Sequence, residues 1–390
     1  MFKNSRVLLI DASNIRLGGT ANQLINLINN LPEKNIFFNK IIIYGNTKVL
    51  TKIDNNPKVF IKTPWLLRPP KSNSSTLSIN IILRFIWHKF FLPLIILIKK
   101  PTLIFYPSAM AHSKLGKYVC LVQNSLPFMY ENYYPKISLK SLRFYLLKKG
   151  MLSSIKKSAG TIFLNNYSKK LVFKNFENYT DLKFSIIPHG FNKKYKSSKW
   201  GPIKIDYKKK FICLTYVSSI DTYKHQIELV RGLYLFKKKY NIDFKLNLIG
   251  PILYKKYFKD LERYITQKNL KNKIIIHKEL NPDEIIKIYK KSHCAIFASS
   301  CENLPLILIE ALNIGIPLLC SNKKPMTDIF FREELHFDPL DPVSICDTIY
   351  YFYKDNHKQI IKTKEYKEVN FSWNSCAEKT FKFFEEISLN

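Results

Sequence analysis

Residues 301–320, CENLPLILIEALNIGIPLLC, carry two charged side chains, Glu302 and Glu310, both acidic and eight positions apart. Helical spacing would surround Glu310 with Leu306, Ile307, Asn313 and Ile314, which do not make a solvated face. An ionised carboxylate in such surroundings needs donors, and hydrogen bonds to charged groups are worth about 1.5 to 3 kcal/mol each. A sugar or a ribose offers them as paired hydroxyls. The same glutamates also read as exposed or capping residues, because Glu302 falls just before a helix expected to start near Pro305, where acidic groups are favoured.

Three further loops follow expected strands. VSSIDTYK (217–224) leads into a helix and ends in Lys224, which suits a diphosphate also attracted by free helix amides. SNIRLGGT (13–20) contains Gly18 and Gly19, a pair that permits close backbone approach to a ligand. No GxGxxG fingerprint accompanies it, so a dinucleotide site is not supported. QNSLPF (123–128) offers Gln123 and Asn124, which can hydrogen-bond but cannot act as acid or base. Each of these loops also reads as an ordinary turn. The chain contains no Asp-x-Asp, so a metal-bridged diphosphate is not indicated and positive charge with helix amides must do that work. Patterns of the GxSxG, Walker and HExxH types are absent as well.

The elements that must position these loops alternate along nearly the whole chain. Strands are expected at 7–10, 40–44, 58–62, 102–106, 118–123, 161–164 and 184–187, with helices at 21–31, 138–157 and 168–175. A polar break at 193–210 (KKYKSSKWGPIKIDYKKK) reads as a linker. Alternation then restarts, with strands at 211–216, 245–249, 273–277, 294–298 and 317–320 and helices at 225–239, 254–267, 282–291, 305–313, 342–355 and 373–387. Strands alternating with helices imply parallel sheets covered on both faces, with ligands at the carboxyl ends of the strands. The organisation expected is an α/β chain of two Rossmann-like domains, 1–195 and 196–370, with a cleft between them, followed by a helix at 371–390.

Charge is distributed unevenly. Residues 1–195 hold 30 basic and 6 acidic side chains, whereas 196–390 hold 33 and 23. A cationic surface recruits phosphorylated small molecules, acidic lipid or nucleic acid without choosing among them, and a general preference for Lys would produce it too. The 7 cysteines include no CxxC pair, which fits a reducing cytoplasm rather than a disulfide framework or metal cage. The apolar run near the N-terminus is too short for a signal-peptide core. Residues 79–98 (INIILRFIWHKFFLPLIILI) form the longest oily region, but Arg84, His88, Lys89 and Pro93 interrupt it. A spanning helix is not expected there; a helix lying on an anionic membrane surface and an ordinary core helix are the two readings.

The segment ENLPLILIEALNIGIPLLCSN resembles the Glu, seven residues, Glu signature of the family 4 retaining glycosyltransferases, two-domain nucleotide-sugar enzymes of the GT-B fold. That resemblance implies that Glu302 contacts hydroxyls of the donor sugar, that Glu310 holds the ribose, and that the amides of Asn303 and Leu304 approach the donor. Gly315 and Pro317 match later positions of the signature. It further implies a pyrophosphate gripped by Lys224, with Ser219 standing where the family carries Arg. Gly18 and Gly19 would lie against the donor phosphates and acceptor, and Gln123, with Asn124, would stand where many relatives place a sugar-contacting His. His189 and Gly190 in IIPHGFN match a structural landmark at the end of the first domain; the resemblance further implies that 1–195 binds the acceptor and 196–370 the nucleotide-sugar, with the helix at 371–390 packing back on the first domain. The activity implied is metal-independent transfer, with retention, from a UDP- or GDP-sugar to an acceptor hydroxyl, in which same-face attack is assisted by the leaving phosphate. The cationic first domain suggests a lipid-linked or glycan acceptor at the inner face of the cytoplasmic membrane, as in bacterial surface-polysaccharide assembly. A nucleotide-sugar epimerase, a non-catalytic nucleotide-sugar binding protein and a nucleic-acid-binding protein are the alternatives, the last without any recognisable nucleic-acid module.

Overall fold

The computed structural model describes residues 6–15, 18–32, 37–68, 82–178, 180–191, 195, 205–355 and 371–389. Most of the expected linker at 193–210 and the first three residues of the 79–98 stretch lie outside the described residues. The first sheet comprises β1 (Val7–Ala12), β2 (Lys40–Gly45), β3 (Val59–Lys62), β4 (Leu103–Tyr106), β5 (Tyr118–Val122), β6 (Gly160–Phe163) and β7 (Phe184–Ile186), in the order β3-β2-β1-β4-β5-β6-β7. The second comprises β8 (Phe211–Val217), β9 (Asp243–Ile249), β10 (Ile274–His277), β11 (Cys294–Phe297), β12 (Leu318–Ser321) and β13 (His336–Phe337), in the order β10-β9-β8-β11-β12-β13. All strand pairings in both sheets are parallel. Helices cover both faces of such a sheet, so β1, β4, β5, β11 and β12 are buried along their whole length and read as continuous apolar runs.

The chain divides into two compact units. One holds Met1–Tyr130, Ile137–Gly190 and Asn370–Asn390; the other holds Glu131–Lys136 and Phe191–Val369. In each sheet the strand order reverses once, between β1 and β4 in the first and between β8 and β11 in the second. Loops leaving the carboxyl ends of those neighbouring strands diverge to opposite faces, and the crevice they leave is where sheets of this kind bind ligands.

The C-terminal helix Trp373–Leu389 belongs to the first unit, where Phe384 packs 4.8 Å from the Phe105 ring and Lys117 Nζ donates to the Ile387 carbonyl at 3.3 Å. Its start is locked to the end of the first unit. His189 is buried 5.5 Å from the Trp373 ring, and burial pushes its pKa down to about 3, so it packs as a neutral ring. A Cβ at Gly190 would stand 2.3 Å from the Trp373 backbone nitrogen. Backbone cannot yield as a side chain can, so Gly190→Ala is expected to cost about 3 kcal/mol. The measurement is urea unfolding: the midpoint should fall with little change in slope, and an unchanged midpoint would show that this contact is not tight.

Candidate functional site

The second unit brings its two switch-point loops together. After β8 the chain turns through residues 218–225 into the helix Gln226–Tyr240, and after β11 it runs through residues 298–305 into the helix Leu306–Ile314. Gly250, at φ +145°, lies so near this turn that a Cβ there would sit 2.4 Å from the Ser218 carbonyl oxygen. His225, at φ 52°, places Nε2 2.6 Å from Ser300 Oγ. The Ser300 amide donates to the Tyr223 carbonyl at 3.0 Å. The short segment Glu131–Lys136 adds two tyrosines: Tyr134 donates to Asp221 Oδ1 at 2.9 Å, and Tyr133 donates to the Ser300 carbonyl at 3.2 Å. Each loop is thus tied to that segment, and the two loops are tied to one another.

At their meeting point Lys224 Nζ and Glu302 Oε1 form a direct ion pair. Their side chains are only 10% and 15% exposed. The Tyr223 and Phe297 rings flank the ammonium, with centroids 4.9 and 5.6 Å away. Burial opposes the Lys224 charge, but the Glu302 carboxylate outweighs it and holds the pKa above the ordinary lysine value. The pair is costly to break, because either partner left alone would be a buried, uncompensated charge. Asn303 is buried and Leu304 half-buried beside the pair, at the start of the helix that carries Glu310. Ser219 lies in the same loop as Lys224, where its carbonyl accepts from Gln226 Nε2 at 2.9 Å.

Glu310 departs from the sequence-based expectation in its charge. Burial raises its pKa to about 8, and the hydrogen bond from Tyr195 only partly offsets that, so at neutral pH the carboxyl is mainly protonated rather than ionised. The physical reason is that one tyrosine hydroxyl does not replace the water a carboxylate loses on burial. Sequence reasoning also missed Tyr195, Tyr133, Tyr134, His225 and Gly250. Only Gly250, directly after a strand, carried a local signal.

In the first unit, the Gly18 and Gly19 pair opens the helix Gly19–Asn29, with Gly18 at φ +108°, and a Cβ on either would meet none of the described residues within 4 Å. The open space suits a ligand. Gln123 is held, its Nε2 donating to Gln23 Oε1 at 3.2 Å and to the Pro107 carbonyl at 3.1 Å. Because Gln23 lies on that same helix, this bond links the loop after β5 to the element after Gly18 and Gly19. Asn124 is exposed, and its Oδ1 accepts the Leu126 amide at 3.0 Å, closing its own turn.

The switch point of the first sheet holds a polar cluster that sequence reading did not single out. Asp11 near the end of β1, His88, and His112 in the loop after β4 bring their ligand atoms within 4.8 Å of one another, a set chemically able to hold a metal ion. The two imidazoles stack at 3.7 Å, and Ser13 Oγ lies 2.7 Å from His88 Nε2. Burial lowers both histidine pKa values, that of His88 to about 3, and raises that of Asp11. The rings are neutral, and a carboxyl lies beside them.

Residues 202–368 match the family model described as Glycosyl transferases group 1, a span containing Ser219, Lys224, Glu302, Asn303, Leu304 and Glu310. The capsular polysaccharide biosynthesis glycosyltransferase CapH of Staphylococcus aureus is 23% identical over 209 residues, covering 53% of this chain and 56% of CapH. The chain spans about half the length of the curated relatives it matches. Among solved structures, a glycosyltransferase from Rickettsia africae ESF-5 superposes over 99% of this chain and 100% of its own with a TM-score of 0.66 at 19% identity. Anabaena Alr3699/HepE, solved in complex with UDP and glucose, covers 99% of this chain and 100% of its own with a TM-score of 0.63 at 13% identity. These likenesses establish the fold as the GT-B type, built from two Rossmann-like units.

The ion pair makes a double-mutant prediction. Lys224→Met strands Glu302 and should destabilise the protein by about 3 kcal/mol, whereas Lys224→Met with Glu302→Gln should recover most of that loss. Chemical denaturation of the two singles and the double measures the coupling; additive effects would show that the pair contributes nothing as a pair.

Proposed function

We propose that the chain is a retaining, metal-independent glycosyltransferase of the family 4 type, which transfers a sugar from a UDP- or GDP-linked donor to an acceptor hydroxyl in bacterial surface-polysaccharide assembly. The observation that carries this reading is the buried Lys224–Glu302 pair at the switch point of the second sheet. A donor diphosphate arriving there replaces Glu302 as the anionic partner of Lys224. The cation keeps its charge throughout, and because it is already in place it stabilises the leaving nucleoside diphosphate without reorganisation. Glu302, released, accepts hydrogen bonds from the donor sugar, and the amides of Asn303 and Leu304 serve the same donor. Ser219 supplies a hydroxyl in place of a second cation, so neutralisation rests on Lys224.

The bond from the anomeric carbon to the phosphate oxygen breaks, the acceptor oxygen bonds to that carbon on the same face, and the acceptor proton passes to the leaving phosphate. In the first unit, Gly18 and Gly19 are proposed to face the donor phosphates, and Gln123 and Asn124 the donor sugar. The capsular role of CapH and the UDP complex of Alr3699/HepE support the choice of substrate class. The primary test is incubation of the purified protein with radiolabelled UDP- and GDP-sugars and a lipid-linked acceptor, in EDTA, with NMR of the product. Transfer with retained anomeric configuration is expected. Loss of activity in EDTA, inverted product, or epimerised donor without transfer would each overturn the corresponding part of the proposal.

Glu310 supplies a pH signature. Ribose hydroxyls donate to the carboxylate form, so nucleotide binding draws off the proton that Glu310 retains below about pH 8. Affinity for UDP or GDP should therefore rise with pH toward 8, by up to about tenfold per unit, and Glu310→Gln should flatten that rise. In the free protein the sign is opposite: the raised pKa stabilises the fold fully below the ordinary value of 4.5, and that contribution is lost as pH rises to about 8. Calorimetry across this range checks both; a pH-independent affinity difference between wild type and variant would remove Glu310 from the ribose site.

A further inference from the structure

One face of the first sheet carries two helical segments whose outer surfaces are apolar and basic. Residues 82–99 are helical throughout, with a π segment at Trp87–Phe91 followed by the α-helix Leu92–Lys99. Pro93 explains the wide turn, because its ring would clash with the carbonyl four residues earlier and the looser spacing relieves that contact. Trp87, Leu92 and Ile96 face the core. On the other side Phe85, Phe90 and Leu97 are 63%, 61% and 60% exposed. The second segment is the helix Leu139–Lys156, where Ile137 just before it and Leu139 within it are 99% and 87% exposed.

The connections β3 to β4 and β5 to β6 step across the sheet in the same direction. Right-handed crossovers then put both segments on one face. Contacts agree, since Ile96 lies 3.8 Å from a Cβ built on Gly116, and Lys114 Nζ in the same loop donates to Ser153 Oγ at 2.7 Å. Charge selects the occupant. Neither 82–100 nor 137–157 contains an acidic residue, while Lys89, Lys99, Lys100, Arg143 and Lys149 are exposed among the apolar side chains. A second protein would need acidic groups interleaved with apolar ones at matching spacing, whereas an anionic bilayer presents both as a continuum, acyl chains beneath a phosphate layer. No helix among the described residues is long and apolar enough to cross a membrane.

We infer that this face of the first unit docks on an anionic lipid bilayer, inserting Phe90, Leu94 and Leu97 below the headgroups while the flanking lysines engage phosphate. The His88 ring, on the inner side of the same helical segment, belongs to the polar cluster at the switch point. Docking therefore holds that cluster at a fixed depth beneath the surface. Bilayer docking needs neither donor nor acceptor and is independent of the transfer reaction.

The full-length protein is to be sedimented with vesicles of phosphatidylcholine containing 30% phosphatidylglycerol, and with phosphatidylcholine alone. Binding should be at least tenfold tighter to the anionic vesicles and weaken in 0.5 M salt. Leu94→Ser with Leu97→Ser, and separately Lys89→Gln with Lys99→Gln, should each weaken it at least tenfold. Hydrogen exchange of the unmodified protein on the vesicles should slow in 90–99 and 139–146. Equal binding to both vesicle types, variants that bind as wild type, or protection elsewhere would overturn the inference. So would a concentration-dependent dimer, abolished by the leucine variant, that binds no vesicles, since the face would then be covered by a second copy.

Discussion

A cation and an anion buried against each other at the switch point of the second sheet set the terms for that whole unit. Neither Lys224 nor Glu302, at 10% and 15% exposure, is tolerable in its surroundings without a charged partner, and the Tyr223 and Phe297 rings flank the ammonium. The backbone must therefore deliver both to one point. The left-handed turn at His225, the glycine at 250 and the hydrogen bonds of Tyr133, Tyr134 and Ser300 accomplish this delivery. A pair built in this way is charged and ordered by the protein alone, and the diphosphate proposed to bind there would exchange one anion for another instead of creating a charge imbalance.

Glu310 illustrates a different electrostatic condition on the same loop–helix unit. Among the described residues its hydrogen-bond partner is the Tyr195 hydroxyl, which does not offset burial, so the proton stays. Two glutamates eight residues apart thus differ in charge because of what other segments bring to them. In the first unit the same balance leaves two neutral imidazoles beside Asp11. The helical segment that carries one of those rings inward turns an apolar and basic surface outward. One stretch of chain serves the core through Trp87, Leu92 and Ile96, a polar cluster through His88, and an exposed face through Phe85, Phe90 and Leu97.

Much of this architecture was legible beforehand. Continuous short runs such as VLLIDA and CAIF, bounded by turn residues, read as strands covered on both sides, and their alternation with helices implies parallel sheets whose loops of interest lie at the carboxyl ends. Lys224, Gly18, Gly19, Gln123 and Asn124 were singled out on such loops, and Glu302 and Glu310 as the two charges of an apolar run. The short strand β13 gave no such signal, since two residues hold no period. Gln123 and Asn124 were visible as polar residues after a strand, but not that the first is anchored to Gln23 and the second closes its own turn.

The sequence by itself determined the order of most strands and helices, the loops at the carboxyl ends of the strands, and the polar residues on them, because periodicity and turn chemistry act between near neighbours. Tertiary structure alone decided that Lys224 meets Glu302 across 78 positions, that Tyr133 and Tyr134 join the second unit from within the first unit's stretch of chain, and that Tyr195 reaches Glu310. It also decided which carboxyl keeps its proton. Pairing and desolvation are properties of points in space, and a chain specifies those points only after distant segments have packed around them.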